Sequence, residues 1–99
     1  MKVRWTKAAL GHLTAIYEYI SLDSSLYAIR VVDKLTIKSR LLGDFPHSGS
    51  LVPEYQNQDV RQVVEWPYRI VYRIAENEVQ VLAILHGSRQ ISGDTPPDH

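Results

Sequence analysis

The stretch of sequence that decides the fold runs from residue 68 to residue 89 and reads YRIVYRIAENEVQVLAILHGSR. Tyrosine and isoleucine alternate at every second position from Tyr68 to Ile74. This period of two is typical of a strand with one buried face. The other face carries Arg69 and Arg73. We therefore predict a strand here with an apolar side and an arginine-bearing side.

A second strand is predicted from Val79 to Leu85, where every residue except Gln80 is apolar. A strand that is apolar on both faces is usually central in its sheet. The polar residues 76–78 lie between the two strands and include an asparagine, which tolerates left-handed backbone in turns. The segment thus forms a hairpin that brings Arg89 to the edge of the sheet.

The N-terminal half predicts a short strand at residues 3–5 and then two helices. Thr6 is placed to cap the first helix. Residues 23–25 are polar and separate the two helices. Because this break is so short, the helices should pack as an antiparallel hairpin. The apolar stripes of the two helices contain Leu10, Leu13, Ile16, Tyr17 and Ile20 in the first, and Ala28, Val31, Val32, Leu35 and Leu42 in the second.

The middle of the chain connects the helices to the sheet. Gly43 suits the left-handed position that follows a helix, and Phe45 should return to the core. Residues 51–59 are polar and contain a proline, which predicts a surface loop, and residues 60–66 predict another strand that ends before Pro67. The order of elements predicts an α+β fold (β-α-α-β-β-β), with an N-terminal helical hairpin packed on a small antiparallel sheet.

Length and composition indicate one globular domain. The chain has 99 residues and 44% hydrophobic content, so we assign residues 1–91 to one domain and residues 92–99 to a flexible C-terminal tail. Cysteine is absent, which excludes disulfides and thiolate metal sites. No signal peptide or membrane segment is evident, so we expect a cytoplasmic protein without a membrane partner.

The charge balance argues against a protein that works mainly on nucleic acid backbones. Eleven basic and eleven acidic residues give a formal net charge of +0. Proteins of that kind usually carry a basic excess, because release of counterions drives their binding. We expect no cofactor and no metal, since His12 and His47 have no further ligand at a metal-binding spacing.

Three quoted segments together resemble the ParE/RelE superfamily of type II toxin–antitoxin toxins. They are VRWTKAALGHLTAIYEYI, LLGDFPHSG and WPYRIVYRI followed by VQVLAILHGSRQ. The resemblance extends from Val3 to about Ile91, and the Trp-Thr opening and His-Gly-Ser-Arg-Gln ending are most similar to the ParE-like branch. It implies a toxin held inactive by a cognate antitoxin whose C-terminal segment wraps the toxin. We predict that this segment adds a strand or helix over the sheet and the groove beside the hairpin.

The resemblance implies two alternative activities. ParE-like members poison DNA gyrase, whereas RelE-like members cut mRNA in the ribosomal A site, and one fold supports both. Cleavage of RNA needs a base, a proton donor and cations around the phosphate. The residues available for that chemistry are Arg61, Arg69, His86 and Arg89, but the tail holds no counterpart of the C-terminal catalytic tyrosine. We therefore favour a gyrase-binding toxin that is not an enzyme.

Each candidate residue also has a simpler structural interpretation. His86 suits a strand end bonded to backbone, and Arg69 and Arg73 suit a solvated face or a salt bridge to Glu65. As partner-binding residues we predict Tyr19, Arg69, Arg73 and Arg89. Tyr19 is the best candidate on the hairpin, because it lies off the apolar stripe of the first helix. A protein with the toxin fold but no toxicity is a third possibility.

Overall fold

The computed structural model describes residues 1–87, which form two helices and five strands. Our predictions for Arg89 and for the tail at residues 92–99 lie outside the described residues. The elements are β1 (Lys2–Trp5), α1 (Lys7–Ser21), α2 (Ser25–Leu41), β2 (Ser50–Leu51), β3 (Val60–Glu65), β4 (Tyr68–Ile74) and β5 (Glu78–His86).

The strands form one sheet in the order β1-β5-β4-β3-β2. β5 is an interior strand with β1 and β4 on either side, in agreement with its apolar sequence. The α+β class and the helical hairpin on a sheet are confirmed. The sheet itself is mixed rather than wholly antiparallel, because β1 runs parallel to β5 while the other pairs are antiparallel. The sequence marks the position of β1 but carries no signal for its direction.

The sheet has a hydrophobic cluster on each face. Ile70 and Tyr72 belong to the cluster beneath the helices, whereas Val71 belongs to the cluster on the opposite face. The ladder between β4 and β5 shifts register between Val71 and Tyr72, which leaves Leu82 as an extra residue in β5. Leu82 and Ala83 both join the second cluster. The predicted strand with one buried face therefore has apolar contacts on both.

The helices pack on the sheet through narrower stripes than the sequence predicts. In α1, Ala9 is fully buried and Leu13, Ile16 and Ile20 pack against the helix-side cluster. Leu10 and Tyr17 were predicted in this stripe but are exposed, because they project from the flank of the helix beside it. The stripe predicted for α2 is confirmed at Ala28, Val31, Leu35 and Leu42.

Thr6 joins the start of α1 to β5. Its hydroxyl oxygen accepts a hydrogen bond from the N–H of Ala9 over 3.2 Å, which confirms the predicted N-cap. The same hydroxyl donates to the carbonyl of Val81 over 2.8 Å. Thr6 is fully buried, so this one side chain fixes where the helix leaves the sheet.

The connector after α2 is held by a tyrosine from the sheet and not by its own phenylalanine. Phe45 is 64% exposed, so the prediction that it returns to the core is wrong. The hydroxyl of Tyr72 donates to the carbonyl of Pro46 over 2.7 Å and accepts from the N–H of Gly49 over 2.9 Å. A Cβ atom at Gly49 would lie 2.5 Å from that hydroxyl, so the close approach requires glycine.

Residues 51–59 do more than form a surface loop. Leu51 pairs with β3 as part of the short strand β2, and Val52 is buried in the second cluster. Tyr55 packs against the same cluster, so this segment covers the face of the sheet opposite the helices. We define residues 52–59 as the strap. Its sequence looks like a loop because only two of its side chains reach the core.

The structure has no left-handed backbone at Gly43 or in the turn at residues 76–78, where the sequence suggested it. Within residues 1–87, neither a glycine nor any other residue has a positive φ. Leu42, the residue that follows α2, instead keeps right-handed conformation, and Gly43 is buried against the backbone of Met1 and the side chain of Val3. Gly43 therefore serves a close approach between α2 and β1, where a side chain would not fit.

Candidate protein-binding site

Arg69 lies on the sheet face opposite the helices and is only 9% exposed. Its Nη1 donates to Oε1 of Gln62 over 2.6 Å, and its Nη2 lies 3.5 Å from Oε2 of Glu54 in the strap. Of the two simpler interpretations of Arg69, the salt bridge to Glu65 is wrong, because Glu65 pairs with Tyr68 on the helix side. Arg69 thus helps to hold the strap on the sheet.

Arg73 belongs to a polar network on the same face, nearer to β1. Its Nε and Nη2 donate to Oε1 of Gln80 over 3.1 and 2.7 Å. The amide of Gln80 donates in turn to Oε2 of Glu78, which Arg4 also contacts over 3.0 Å. The hydrogen bond from Gln80, and then that from Arg4, lower the pKa of Glu78 below its ordinary value.

Arg61 is separated from Arg69 by the sheet itself. In the ladder it lies opposite Tyr72, which is a member of the helix-side cluster. Its Nη1 donates to the carbonyl of Gly49 over 2.9 Å. His86 is also on the helix side, since it pairs with Tyr68. Within residues 1–87, the candidates for RNA cleavage are therefore divided between two faces and do not converge.

Five aromatic side chains gather where the helical hairpin turns and β5 ends. The rings of Tyr68 and His86 meet edge to face, with centroids 5.9 Å apart. Burial raises the pKa of Tyr68, and the nearby Tyr27 and Tyr19 raise it further. Trp66 precedes β4 and is 78% exposed. We define Tyr19, Tyr27, Trp66, Tyr68 and His86 as the aromatic end.

Beside the aromatic end, α2 and the β3–β4 turn enclose a pocket of about 180 Å³. Its walls are mostly apolar, and the charged side chains at it are Arg30, Lys34 and Glu65. Aromatic side chains are enriched in protein interfaces, where one exposed ring supplies a large apolar contact. The arrangement is suited to binding another protein. The apolar side chains that line the pocket are Tyr27, Val31, Leu35, Trp66, Pro67 and Tyr68.

The structure brings together some of the predicted site residues and separates others. Tyr19 is 77% exposed, as predicted, and is near enough to Tyr68 at the aromatic end to raise its pKa. Arg69 and Arg73 are on the far face of the sheet and are engaged in hydrogen bonds. Sequence reasoning missed Trp66, although a tryptophan directly before a turn proline is a signal that could have identified it.

Residues 1–87 were also considered by their chemistry as a metal site and by their hydropathy as a membrane segment, and neither character is found there. No group of three or more histidine, aspartate or glutamate side chains is placed to hold a metal ion in that part of the chain. Neither of the two helices described there has the length and apolar character needed to cross a bilayer.

The fold and this surface define a class of small α+β proteins in which a helical hairpin packs on a sheet and leaves apolar side chains exposed at one end. Comparison with known proteins specifies the class. Residues 3–91 match the family model described as the ParE toxin of the type II toxin–antitoxin system parDE. The chain belongs to this family of the ParE/RelE superfamily, and is a toxin of a type II toxin–antitoxin system.

Two relatives illustrate the family. Toxin RelE2 of Caulobacter vibrioides is 35% identical over 88 residues, which are 89% of this chain and 97% of the relative. A solved structure from a chromosomal ParDE toxin–antitoxin system of P. aeruginosa matches with a TM-score of 0.71 and 27% identity. That match covers 87% of this chain and 95% of the other. An antitoxin partner follows from membership of the family.

Proposed function

We propose that this toxin arrests growth by binding and poisoning DNA gyrase, that it performs no chemistry itself, and that a cognate antitoxin neutralises it. The observation that carries the proposal is the division of the candidate catalytic residues. Arg61 and His86 lie on the helix side of the sheet, and Arg69 lies on the other side. A reacting phosphate would need its base and its cations on one side.

The internal hydrogen bonds of Arg61 and Arg69 support the same proposal. Arg69 is 9% exposed and bonded to Gln62 and Glu54, and Arg61 is bonded to Gly49. Cations already committed to internal contacts are poorly placed to stabilise charge on a transition state. The exposed aromatic end, in contrast, offers the kind of side chain that dominates binding between proteins. Tyr19 is its most exposed tyrosine and our first candidate for contact with the target.

A supercoiling assay with purified gyrase tests the proposal. We expect micromolar toxin to inhibit supercoiling, and an equimolar amount of antitoxin to restore it. Tyr19→Ala should weaken inhibition, whereas Phe45→Ala, which removes another exposed aromatic ring outside the aromatic end, should not. If gyrase retains full activity at every toxin concentration, the proposal is wrong.

The second candidate function is cleavage of mRNA on the ribosome. The resemblance to Toxin RelE2 is the observation in its favour. Primer extension on translated mRNA distinguishes the two. Cuts that appear with the wild-type toxin and vanish in an Arg69→Ala, Arg89→Ala double variant would establish the endonuclease and displace gyrase binding.

A further inference from the structure

Three cations gather near β1 on the sheet face opposite the helices. In the ladder, Lys2 lies opposite Glu78, and Gln80 lies between Arg4 and Arg73. Paired residues share a face of the sheet and neighbouring strands are about 4.8 Å apart, so the Cα atoms of the two arginines are separated by roughly 10 Å. We define these five residues as the polar face. It contains three positive charges and one negative charge.

Hydrogen bonds within the polar face hold both guanidinium groups and leave part of each unused. Oε1 of Gln80 accepts from Nε and from Nη2 of Arg73. Oε2 of Glu78 accepts from Nε of Arg4 over 3.0 Å and from the amide of Gln80 over 2.7 Å. Within residues 1–87, Nη1 of Arg73 and both Nη atoms of Arg4 form no hydrogen bond. Two cations held in position therefore retain donors for an acceptor outside the chain.

The composition of the polar face favours a phosphate-bearing partner. Guanidinium groups bind the oxygens of phosphate and of carboxylate through paired N–H donors. An interface between proteins also needs an apolar core, whereas contact with a nucleic acid backbone needs only donors and positive charge. The polar face includes no apolar residue, unlike the aromatic end. Phosphate is therefore the acceptor that suits it better.

We propose that the polar face contacts the phosphate backbone of the DNA duplex that gyrase holds, with Arg4 and Arg73 on separate phosphates. This inference rests on the proposed function, in which the toxin binds gyrase. Tyr68 and His86 of the aromatic end lie on the helix side of the sheet, and the polar face lies on the other side. A toxin bound to gyrase through its aromatic end thus keeps the polar face available.

The contact depends on gyrase, because the toxin alone carries too little positive charge to hold DNA. The chain is neutral overall, and Asp59 and Glu76 precede β3 and β5 beside the polar face. Binding to a duplex without sequence preference needs several phosphate contacts at physiological salt. Gyrase holds toxin and duplex together and so raises their effective concentration. We expect the free toxin not to retard a duplex in a gel at physiological salt.

The test compares the affinity of full-length toxin for gyrase alone and for gyrase loaded with a duplex, over a salt range in which gyrase keeps its duplex. Arg73→Gln should weaken binding to loaded gyrase about tenfold, as the loss of a charge-assisted hydrogen bond does. It should also lower the slope of log affinity against log salt by about 1, and Arg73→Lys should retain that slope. Affinity for DNA-free gyrase should not change.

Arg40→Gln is the matched control, because Arg40 is an exposed cation of α2 on the helix side of the sheet and should leave both affinities unchanged. Arg4→Gln should act like Arg73→Gln. Lys2→Gln should shift affinity and slope in the same direction, and it breaks no hydrogen bond within residues 1–87. It therefore decides the matter if the arginine variants melt well below the wild type.

Two results would overturn the inference. One is unchanged affinity for loaded gyrase in all the polar-face variants that melt like the wild type. The other is equal weakening with and without DNA, because the partner of the polar face would then be an acidic surface of gyrase and not the duplex.

The wild-type toxin separates this inference from the proposed function. If it binds gyrase and inhibits supercoiling, but the polar-face variants bind loaded gyrase equally well, only the DNA contact fails. If the wild-type toxin binds gyrase neither with nor without DNA, the proposed function and the inference fail together.

Discussion

A single hydroxyl group, that of Tyr72, ties the connector after α2 to the sheet. Tyr72 is fully buried and bonds both Pro46 and Gly49. Burial raises the pKa of this tyrosine, which therefore stays protonated and able to donate at physiological pH. The connector has no apolar anchor in Phe45, so these two hydrogen bonds determine its position.

Tyr72→Phe should lower the free energy of unfolding by about 2 kcal/mol, because it leaves the partly buried carbonyl of Pro46 and the buried N–H of Gly49 without a partner. Urea denaturation of the two proteins measures the difference. Tyr19→Phe removes a hydroxyl from an exposed ring and should change stability by less than about 0.5 kcal/mol. A loss in Tyr72→Phe no larger than this control would contradict the assignment.

His86 separates the two candidate functions at the scale of one residue. In His86→Phe an aromatic ring remains against Tyr68, but no group remains that transfers a proton near neutral pH. We expect growth arrest after induction to be as complete as with the wild type. Full survival of cells that contain a normally folded His86→Phe toxin would instead indicate acid–base chemistry at this position.

At the scale of elements, Thr6 is the junction of α1, β1 and β5. Thr6→Ala removes both the N-cap and the bond to Val81, and should lower the free energy of unfolding by about 1–2 kcal/mol. Thr6→Ser keeps the hydroxyl and should recover most of this loss. Chemical denaturation measures both variants. If Ser and Ala are equally destabilising, the lost methyl group and not the hydrogen bonds would be responsible.

The pairing of β1 with β5 should depend on pH through Glu78. Its folded-state pKa lies below the ordinary value of 4.5, so the folded protein binds this proton less readily than the unfolded chain does. The resulting stabilisation is complete above the unfolded-state pKa and is lost as the pH falls through the folded-state pKa. The contribution is small, because the carboxylate is still partly open to solvent.

Glu78→Gln tests this linkage. The variant should melt below the wild type near neutral pH, and the difference in melting temperature should shrink as the pH falls from about 5 towards the folded-state pKa. Glu76→Gln, in the adjacent turn, is the control and should show no such trend. A difference between Glu78→Gln and the wild type that does not change with pH would contradict the role of Arg4 and Gln80.

Across the whole molecule, the sequence predicts what local patterns encode and misses what depends on distant contacts. Alternation in β4, the apolar run of β5 and the stripe of α2 are local signals, and each corresponds to an observed element. The two-residue strand β2 is too short to leave a pattern. Arg69 contacts Glu54, fifteen residues away, whereas Glu65, which we considered as a possible salt-bridge partner, lies on the other face of the sheet, and only the fold reveals which face each occupies.

The candidate site likewise combines features that a local sequence pattern predicts with features that depend on distant contacts. Tyr19 could be predicted as exposed because it leaves the stripe of its helix. The pocket could not be predicted, since it combines Arg30 and Lys34 from α2 with Trp66 from the β3–β4 turn, and no local pattern relates these segments. Tertiary packing also decides that Leu10 and Tyr17 remain exposed, which leaves additional apolar surface for partners.

We propose that this toxin acts on gyrase by binding alone, without chemistry of its own. The most direct measurement is the amount of plasmid left cleaved when gyrase and increasing toxin are incubated and the protein is then denatured with detergent. We expect cleaved plasmid to accumulate as toxin is added, equally with wild-type and His86→Phe toxin, and to disappear when antitoxin is added. Plasmid that remains intact at every toxin concentration, while translated mRNA is cut, would contradict it.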